Sequence, residues 1–205
     1  METSGKKIAF VVCGALLPEV SRIVKKRGWA VELHPLPSDY HLDPQKIVSG
    51  VEEKLRLLLP NHRVLVVYGD CGTGGMLDKL LARYGVERLA GAHCYEIYGG
   101  DVFWNAVRQE PGTFFLTDFM VRSFARLERQ MGIDAHPELV SMYFGNYRRM
   151  LYLAQTRDER LLAEAEKISK KLGLPLEVRF VGVQRLEEML SKWIERTSSL
   201  SSETS

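Results

Sequence analysis

The chain is predicted to be an α/β protein with a Rossmann-like, doubly wound, mostly parallel sheet of six or seven strands. Three features of the sequence predict this. Apolar runs such as RVLVV are too short for helices and carry no polar interruption, as strands covered on both faces require. These runs lead through glycine-bearing corners into segments with apolar residues at helical spacing. The strand, helix, strand order then recurs along the chain, which favours parallel pairing.

Taken in order, KIAFVVCGAL is an apolar strand broken by Cys13-Gly14, PEVSRIVKKRGW is a helix, and AVELHPLP is a second strand, completing a βαβ unit. After the loop SDYHLDP, QKIVSGVEEKLRLLL is helical and RVLVVYGD is a buried strand bounded by glycine. CGTGGMLDKLLARYG opens as a Gly-rich turn and becomes a helix that stops at Gly85, and VERLAGAHC returns as a strand. The matching order of elements in VVCGALLPEVSRIVKKRGWAVELHPLP and VYGDCGTGGMLDKLLARYGVERLAGAHC predicts an internal βαβ duplication. Downstream, TFFLTDFMVRSFARLERQMG, MLYLAQTRDERLLAEAEKISKKLG and LEVRFVGVQRLEEMLSKWIER each read as a strand followed by a helix. Between them HPELVSMYFGNYRR, aromatic and interrupted by glycine, reads as a helix or a loop covering a site.

With 205 residues the chain fits one domain or two small lobes. The organisation expected is an N-terminal extension over 1–6, one α/β domain over 7–196 that could divide into two lobes, and a polar, low-complexity, disordered tail over 197–205. A hydrophobic share of 45% against 26% charged excludes wholesale disorder. A formal net charge of +2 offers no basic face for nucleic acid or a membrane surface, so neither is an expected partner. The apolar run from Ile8 to Leu17 holds a Cys-Gly pair and enters a helix, so it reads as a first strand and not as a secretory signal. No stretch reaches the roughly 18 apolar residues of a spanning helix, and a cytoplasmic location is expected.

In that reducing setting an odd count of three cysteines argues against a disulfide framework. Cys13, Cys71 and Cys94 each follow a predicted strand, on the edge of a parallel sheet where loops and helix N-termini present ligand sites. Helix N-termini there also favour the thiolate form. One crevice could therefore collect three thiolates, a donor set that selects zinc or an iron–sulfur cluster over magnesium or calcium. Three protein ligands leave a coordination position open, as catalysis requires, whereas a fourth would make the centre structural. His41 in SDYHLDP is a candidate ligand or proton donor, and His93 a candidate ligand or a neighbour of the site. The competing reading is that the cysteines are small buried hydrophobes.

The segment YGDCGTGG suits an anion cradle, with Gly72, Thr73 and Gly74 presenting N–H groups to a carboxylate or sulfide. It lacks the Gly-Lys-Ser/Thr ending of a Walker loop and does not match GxGxxG. Asp70 is a candidate general base, or the cap of the turn. Asp118, after Thr117 in GTFFLTDF, is a further catalytic candidate or a helix cap. Tyr147 and Arg148 in YFGNYRR could form a lid over an anionic substrate, or part of a packed surface segment. These readings predict a metal-dependent enzyme, a lyase or transferase with a zinc or [4Fe-4S] centre, acting on a small polar or anionic substrate. Two rivals stay open: a non-catalytic metal or corrinoid carrier or chaperone, and a metal-free carboxylate-binding domain.

The strings YGDCGTGG, GAHCYEIYGG, GTFFLTDF, YFGNYRR and YLAQT together resemble the family known as domain of unknown function 1638, over about residues 7 to 190. The family pattern carries cysteines matching Cys13, Cys71 and Cys94 and a histidine matching His41. The resemblance implies a setting in bacteria or methanogenic archaea near corrinoid-dependent methyltransferases, and so a corrinoid or methyltransferase protein as partner. The layout of three isolated cysteines on βα loops also looks like that of quinolinate synthase, without shared motifs, and layout alone does not fix function.

Overall fold

The computed structural model describes residues 6–202, which fall into two compact units. One is formed by the chain up to Ile97 together with the residues from Arg185 onward, and the other by Tyr98–Gln184. The seven strands found among the described residues do not form one doubly wound sheet, as the sequence suggests, but a four-stranded and a three-stranded parallel sheet. Repeating strand and helix segments predict parallel pairing, but they do not say which strands share a ladder, since that is settled by contacts far apart in sequence.

In the first unit the chain runs β1 (Lys7–Cys13), α1 (Leu17–Arg27), β2 (Val31–Leu36), a 3₁₀ turn (Ser38–Leu42), α2 (Pro44–Leu58), β3 (His62–Val67), α3 (Met76–Tyr84), β4 (Glu87–Arg88) and the start of α4 (Cys94–Gly99). The strand order is β2-β1-β3-β4, with every pairing parallel. The chain therefore moves outward from β1 to β2, then returns to β1's other side as β3 and continues to β4. Both predicted βαβ units are present as β1-α1-β2 and β3-α3-β4. The core is made where the apolar periodicity placed it: Phe10, Val11 and Val12 of β1, Ile47, Val51 and Leu55 of α2 at four-residue spacing, and Leu77, Leu80 and Leu81 of α3 are all buried.

Two expectations fail in this unit. The segment VERLAGAHC contributes only Glu87–Arg88 as strand; residues 90–93 run as bends, and Cys94 opens a helix instead of ending a strand. The reason is in its composition, since Gly91 adopts φ +132° and the segment has no alternation of buried side chains. The expected disordered tail is also helical over 197–202, because α9 (Gln184–Ser202) continues through it; residues 203–205, with 1–5 of the expected extension, lie outside the described residues. Thr197 is buried, its hydroxyl donates to the Trp193 carbonyl at 2.8 Å, and the Arg63 guanidinium donates to the Thr197 carbonyl. Polar composition alone did not reveal these anchors.

The second unit holds α5 (Asp101–Gln109), β5 (Thr113–Leu116), α6 (Asp118–Met131), α7 (Leu139–Phe144), β6 (Arg149–Ala154), α8 (Glu159–Leu172) and β7 (Leu176–Phe180). Its strands are ordered β5-β6-β7. Leu116, Phe124, Met150, Tyr152, Ile168 and Leu172 pack into one apolar cluster. Among the described residues, no helix is long and apolar enough to cross a membrane.

α9 is tied to α1 through Glu187, which accepts hydrogen bonds from Lys26 at 3.1 Å and Arg27 at 2.5 Å. Lys26, and then Arg27, hold the Glu187 carboxyl below its usual pKa against the opposing effect of burial. A depressed folded-state pKa gives stability that is present above the ordinary glutamate range and lost as pH falls through the folded-state value. In urea unfolding followed by circular dichroism, Glu187→Gln should flatten the acid side of the stability profile while changing little at alkaline pH.

Candidate functional site

The reversal of strand order at β1 leaves a crevice between the carboxyl ends of β1 and β3, the place where open parallel sheets receive ligands. Cys13 is the last residue of β1 and Cys71 lies on the turn that follows β3, so the two flank this switch point. Cys94 reaches them through the turn after β4: Asp70 N–H donates to the Gly91 carbonyl at 3.0 Å and Cys71 N–H to the Ala92 carbonyl at 2.6 Å. Two glycines allow the loops to interlock. A Cβ on Gly69 would lie 2.7 Å from His93 Cα and 2.8 Å from His93 N, and one on Gly14 would lie 2.9 Å from the Leu36 carbonyl oxygen.

The Gly-rich turn has the shape of an anion cradle, but the anion it holds is the chain's own. Asp70 accepts from the Thr73 hydroxyl at 2.7 Å, Gly75 N–H at 2.9 Å and Gly74 N–H at 3.1 Å. Burial acts to raise its pKa, yet these donors and the nearby Arg88 outweigh it and leave the carboxyl below its usual value. Asp70 therefore organises the turn, and two of the N–H groups expected for substrate are engaged by it: Thr73 N–H donates to the Asp70 carbonyl at 3.0 Å and Gly74 N–H to its carboxylate. The price in backbone strain falls on Cys71, the one described non-glycine residue with positive φ, at +51°. Gly72, Gly74 and Gly75 take up the rest of the left-handed path at +82°, +58° and +80°.

All three cysteines are free thiols, with Cys13 buried and Cys71 and Cys94 partly exposed as residues. Cys13 opposes ionisation of Cys71, and both oppose that of Cys94. The expected stabilisation of thiolates by helix N-termini is overridden. Burial pushes Cys13 up to about 11 and Cys71 up to about 12, and raises Cys94 as well, although the backbone around Ala15 and Leu16 favours the Cys13 anion. As neutral thiols they are poor nucleophiles, so covalent catalysis is not what this arrangement suits.

His41 lies on the 3₁₀ turn after β2, with Nδ1 2.7 Å from the Ser38 carbonyl. A carbonyl only accepts, so Nδ1 carries the proton and, in the neutral ring, Nε2 presents its lone pair. Nε2 sits 3.9 Å from the Cys13 sulfur. A histidine that donates one ring N–H to a backbone carbonyl and aims the other nitrogen at a donor set has the orientation of a metal ligand. His93 packs edge-on against Tyr95, with ring centroids 5.0 Å apart, and burial lowers its pKa.

Two residues that sequence reasoning missed complete the site. Tyr68 follows β3 and is fully buried; its ring stacks on His41 at 6.3 Å, and its hydroxyl pairs with the Cys13 thiol, each shifting the other's ionisation. Arg88 donates twice to Asp78, at 2.6 and 2.9 Å, and to the carbonyls of Leu89 and Gly91, at 2.8 and 3.0 Å, pinning the segment that carries Cys94. The polar end of VVYGD and a lone arginine in a predicted strand were the only signals. Among the described residues, no three His, Cys, Asp or Glu side chains stand close enough to share a single ion as placed. Cys13, the His41 imidazole and the Tyr68 phenol are nonetheless neighbours there, and Cys71 and Cys94 lie within electrostatic reach of Cys13.

The remaining candidates belong to the second unit. Asp118 does not cap α6, a role taken by Thr117, whose hydroxyl accepts from Met120 N–H at 3.3 Å. Fully buried, Asp118 instead accepts from the Tyr152 hydroxyl at 2.7 Å and Gln155 N–H at 2.9 Å, and pairs with Arg122 at 3.6 Å. It fastens the end of β5 to the end of β6. Tyr147 packs on Phe114 and Phe144, at 5.3 and 5.9 Å, and Arg148 is exposed, with its N–H on the Gly112 carbonyl at 2.7 Å. This is the packed-segment arrangement.

Two stability outcomes follow. Gly69→Ala drives a methyl into the His93 backbone, which cannot swing aside, and should cost roughly 1–3 kcal/mol in thermal unfolding. Asp118→Asn removes acceptor capacity from a buried network and should cost about 2–4 kcal/mol in urea unfolding.

The family model described as Protein of unknown function (DUF1638) matches residues 35–190. The match takes in His41, Cys71 and Cys94 but begins after β1, so it leaves out Cys13, where the sequence suggested a match from about residue 7. No curated protein and no solved structure matches the chain. Since the family model covers well over half of its residues, this chain belongs to the DUF1638 family.

Proposed function

We propose that Cys13, Cys71 and Cys94 hold an iron–sulfur cluster at the β1/β3 switch point, and that the protein is a lyase or transferase acting on a small polar or anionic substrate. The observation that carries this reading is the delivery of three free cysteines from separate connections of one parallel sheet, with the His41 Nε2 3.9 Å from the Cys13 sulfur. A single zinc ion with bonds of about 2.3 Å needs its sulfurs about 3.8 Å apart. A cluster gives each cysteine its own iron. Zinc is the second choice for the same donors. When bound, a cluster held by three cysteines supplies an iron free to act as a Lewis acid.

The chain's own residues bury Cys13, present the imidazole of His41 beside its sulfur and tie the Gly-rich turn to Asp70. The methyl-transfer setting implied by the family resemblance suggests a corrinoid or methyltransferase protein as partner. A second reading rests on the 3.9 Å approach of His41 to Cys13: with His41 as a fourth ligand the centre is closed, and the protein is a metal carrier.

Anaerobic purification with iron, sulfide and zinc analysis tests the centre. Brown protein with stoichiometric iron and sulfide, lost in Cys71→Ala, is the expected result. Colourless protein with one zinc points to the mononuclear alternative, and metal-free protein unaffected by Cys71→Ala overturns both. In the open-site reading His41→Ala keeps its metal; in the carrier reading it binds metal about 10–100-fold more weakly.

A further inference from the structure

The strand β7 closes one end of the three-stranded sheet, with β6 on one side and, among the described residues, no strand on the other. The bonds at the two ends of its ladder fix how it faces β6: Met150 N–H donates to the Pro175 carbonyl at 2.8 Å, and Val181 N–H to the Ala154 carbonyl at 2.9 Å. Both bonds use odd-numbered positions of the β7 segment, and along a strand the main-chain groups of alternate residues face the same neighbour. The N–H and C=O groups of Leu176, Val178 and Phe180 therefore point away from β6, along an open edge. Their side chains share the face of Met150, Tyr152 and Ala154, their register partners in the apolar cluster. They carry that apolar face out to the edge, where Val178 is 39% and Phe180 46% exposed. On the opposite face Glu177 pairs with Arg149 at 3.0 Å and with Arg179 at 2.6 Å, and the Arg179 side chain stays mostly exposed. An open apolar edge of this kind is a template for another strand.

The edge sequence Leu-Glu-Val-Arg-Phe is complementary to its own reverse. In an antiparallel pairing of two copies centred on Val178, Val178 faces its counterpart and each Leu176 faces a Phe180, so all the outward-pointing residues exchange hydrogen bonds. Between them each Glu177 faces an Arg179 in the closely spaced, non-hydrogen-bonded positions, and the four charges alternate in sign along and across the strands. Sliding one copy by two residues keeps the hydrogen-bonding pattern but sets Glu177 against Glu177, or Arg179 against Arg179. The charges thus select a single register. We propose that β7 is a homodimer interface, at which two copies join edge to edge about a two-fold axis through Val178 and their three-stranded sheets become one six-stranded sheet. Such pairing uses the same surface of both copies and consumes it, so assembly through β7 stops at two.

Sedimentation equilibrium of the full chain, from micromolar to near-millimolar concentration, tests this. The wild type should show a reversible monomer–dimer equilibrium. Val178→Pro removes an outward N–H and no bond to β6, a position where an edge strand accepts proline, so it should keep the wild-type circular dichroism spectrum and weaken the dimer by at least about tenfold. Arg179→Glu and Glu177→Lys each bring like charges together, and each alone should be monomeric at concentrations where the wild type is dimeric. Mixed in equal amounts, these two variants should form a heterodimer, because every glutamate then faces a lysine or an arginine; misfolded chains would not recover in this way. A wild type that stays monomeric over the whole range overturns the proposal and leaves the edge to a strand of another protein. A dimer unchanged by Val178→Pro and by both charge variants also overturns it, as do assemblies that grow beyond two. Charge variants that remain monomeric when mixed overturn the pairing of Glu177 with Arg179.

Discussion

The reversal of strand order around β1 is the constraint on which the candidate site depends. Because β2 and β3 lie on opposite sides of β1, the connections leaving β1 and β3 diverge and leave a crevice between them. Cys13 enters that crevice from the end of β1, and Cys71 from the turn after β3. Gly14 and Gly69 then allow neighbouring loops to approach within backbone contact, and Arg88 holds the segment that delivers Cys94. The cluster of thiols is therefore a consequence of sheet topology combined with the absence of a side chain at two positions.

Burial governs the chemistry of what is collected there. Burial penalises each of the three anions, and repulsion by neighbouring sulfurs penalises those of Cys71 and Cys94 further. A bound cation reverses both effects, since it supplies the charge that water no longer screens. Asp70 illustrates the opposite solution to the same problem: its charge is retained because the Gly-rich turn surrounds it with donors. In the second unit the buried Asp118 side chain gathers Tyr152 and Gln155 and joins two strand ends. Both acidic residues sit just past strands, where catalytic groups are often found, yet both are consumed in holding loops.

Much of the secondary structure was legible. Apolar runs and helical spacing locate β1, β3 and β6 and the helices α1 to α3, because local periodicity reports directly which face of an element is buried. The segment 87–94 was misjudged because an apolar composition does not distinguish a strand from a bent loop that happens to be partly buried. Residues 197–202 were misjudged because their anchors, Trp193 and Arg63, lie outside the polar stretch itself.

The sequence by itself determined the α/β class, the parallel pairing and the presence of three cysteines past strand ends, since each follows from patterns within a few residues of one another. Only the tertiary structure decided that the strands divide between two sheets, and that Asp70 fills the anion cradle. It also set the buried Tyr68 beside Cys13, and His41 with one nitrogen committed to Ser38. These outcomes depend on which loops meet across the sheet edge, and hydrogen-bond partners separated by tens of residues leave no periodic trace along the chain.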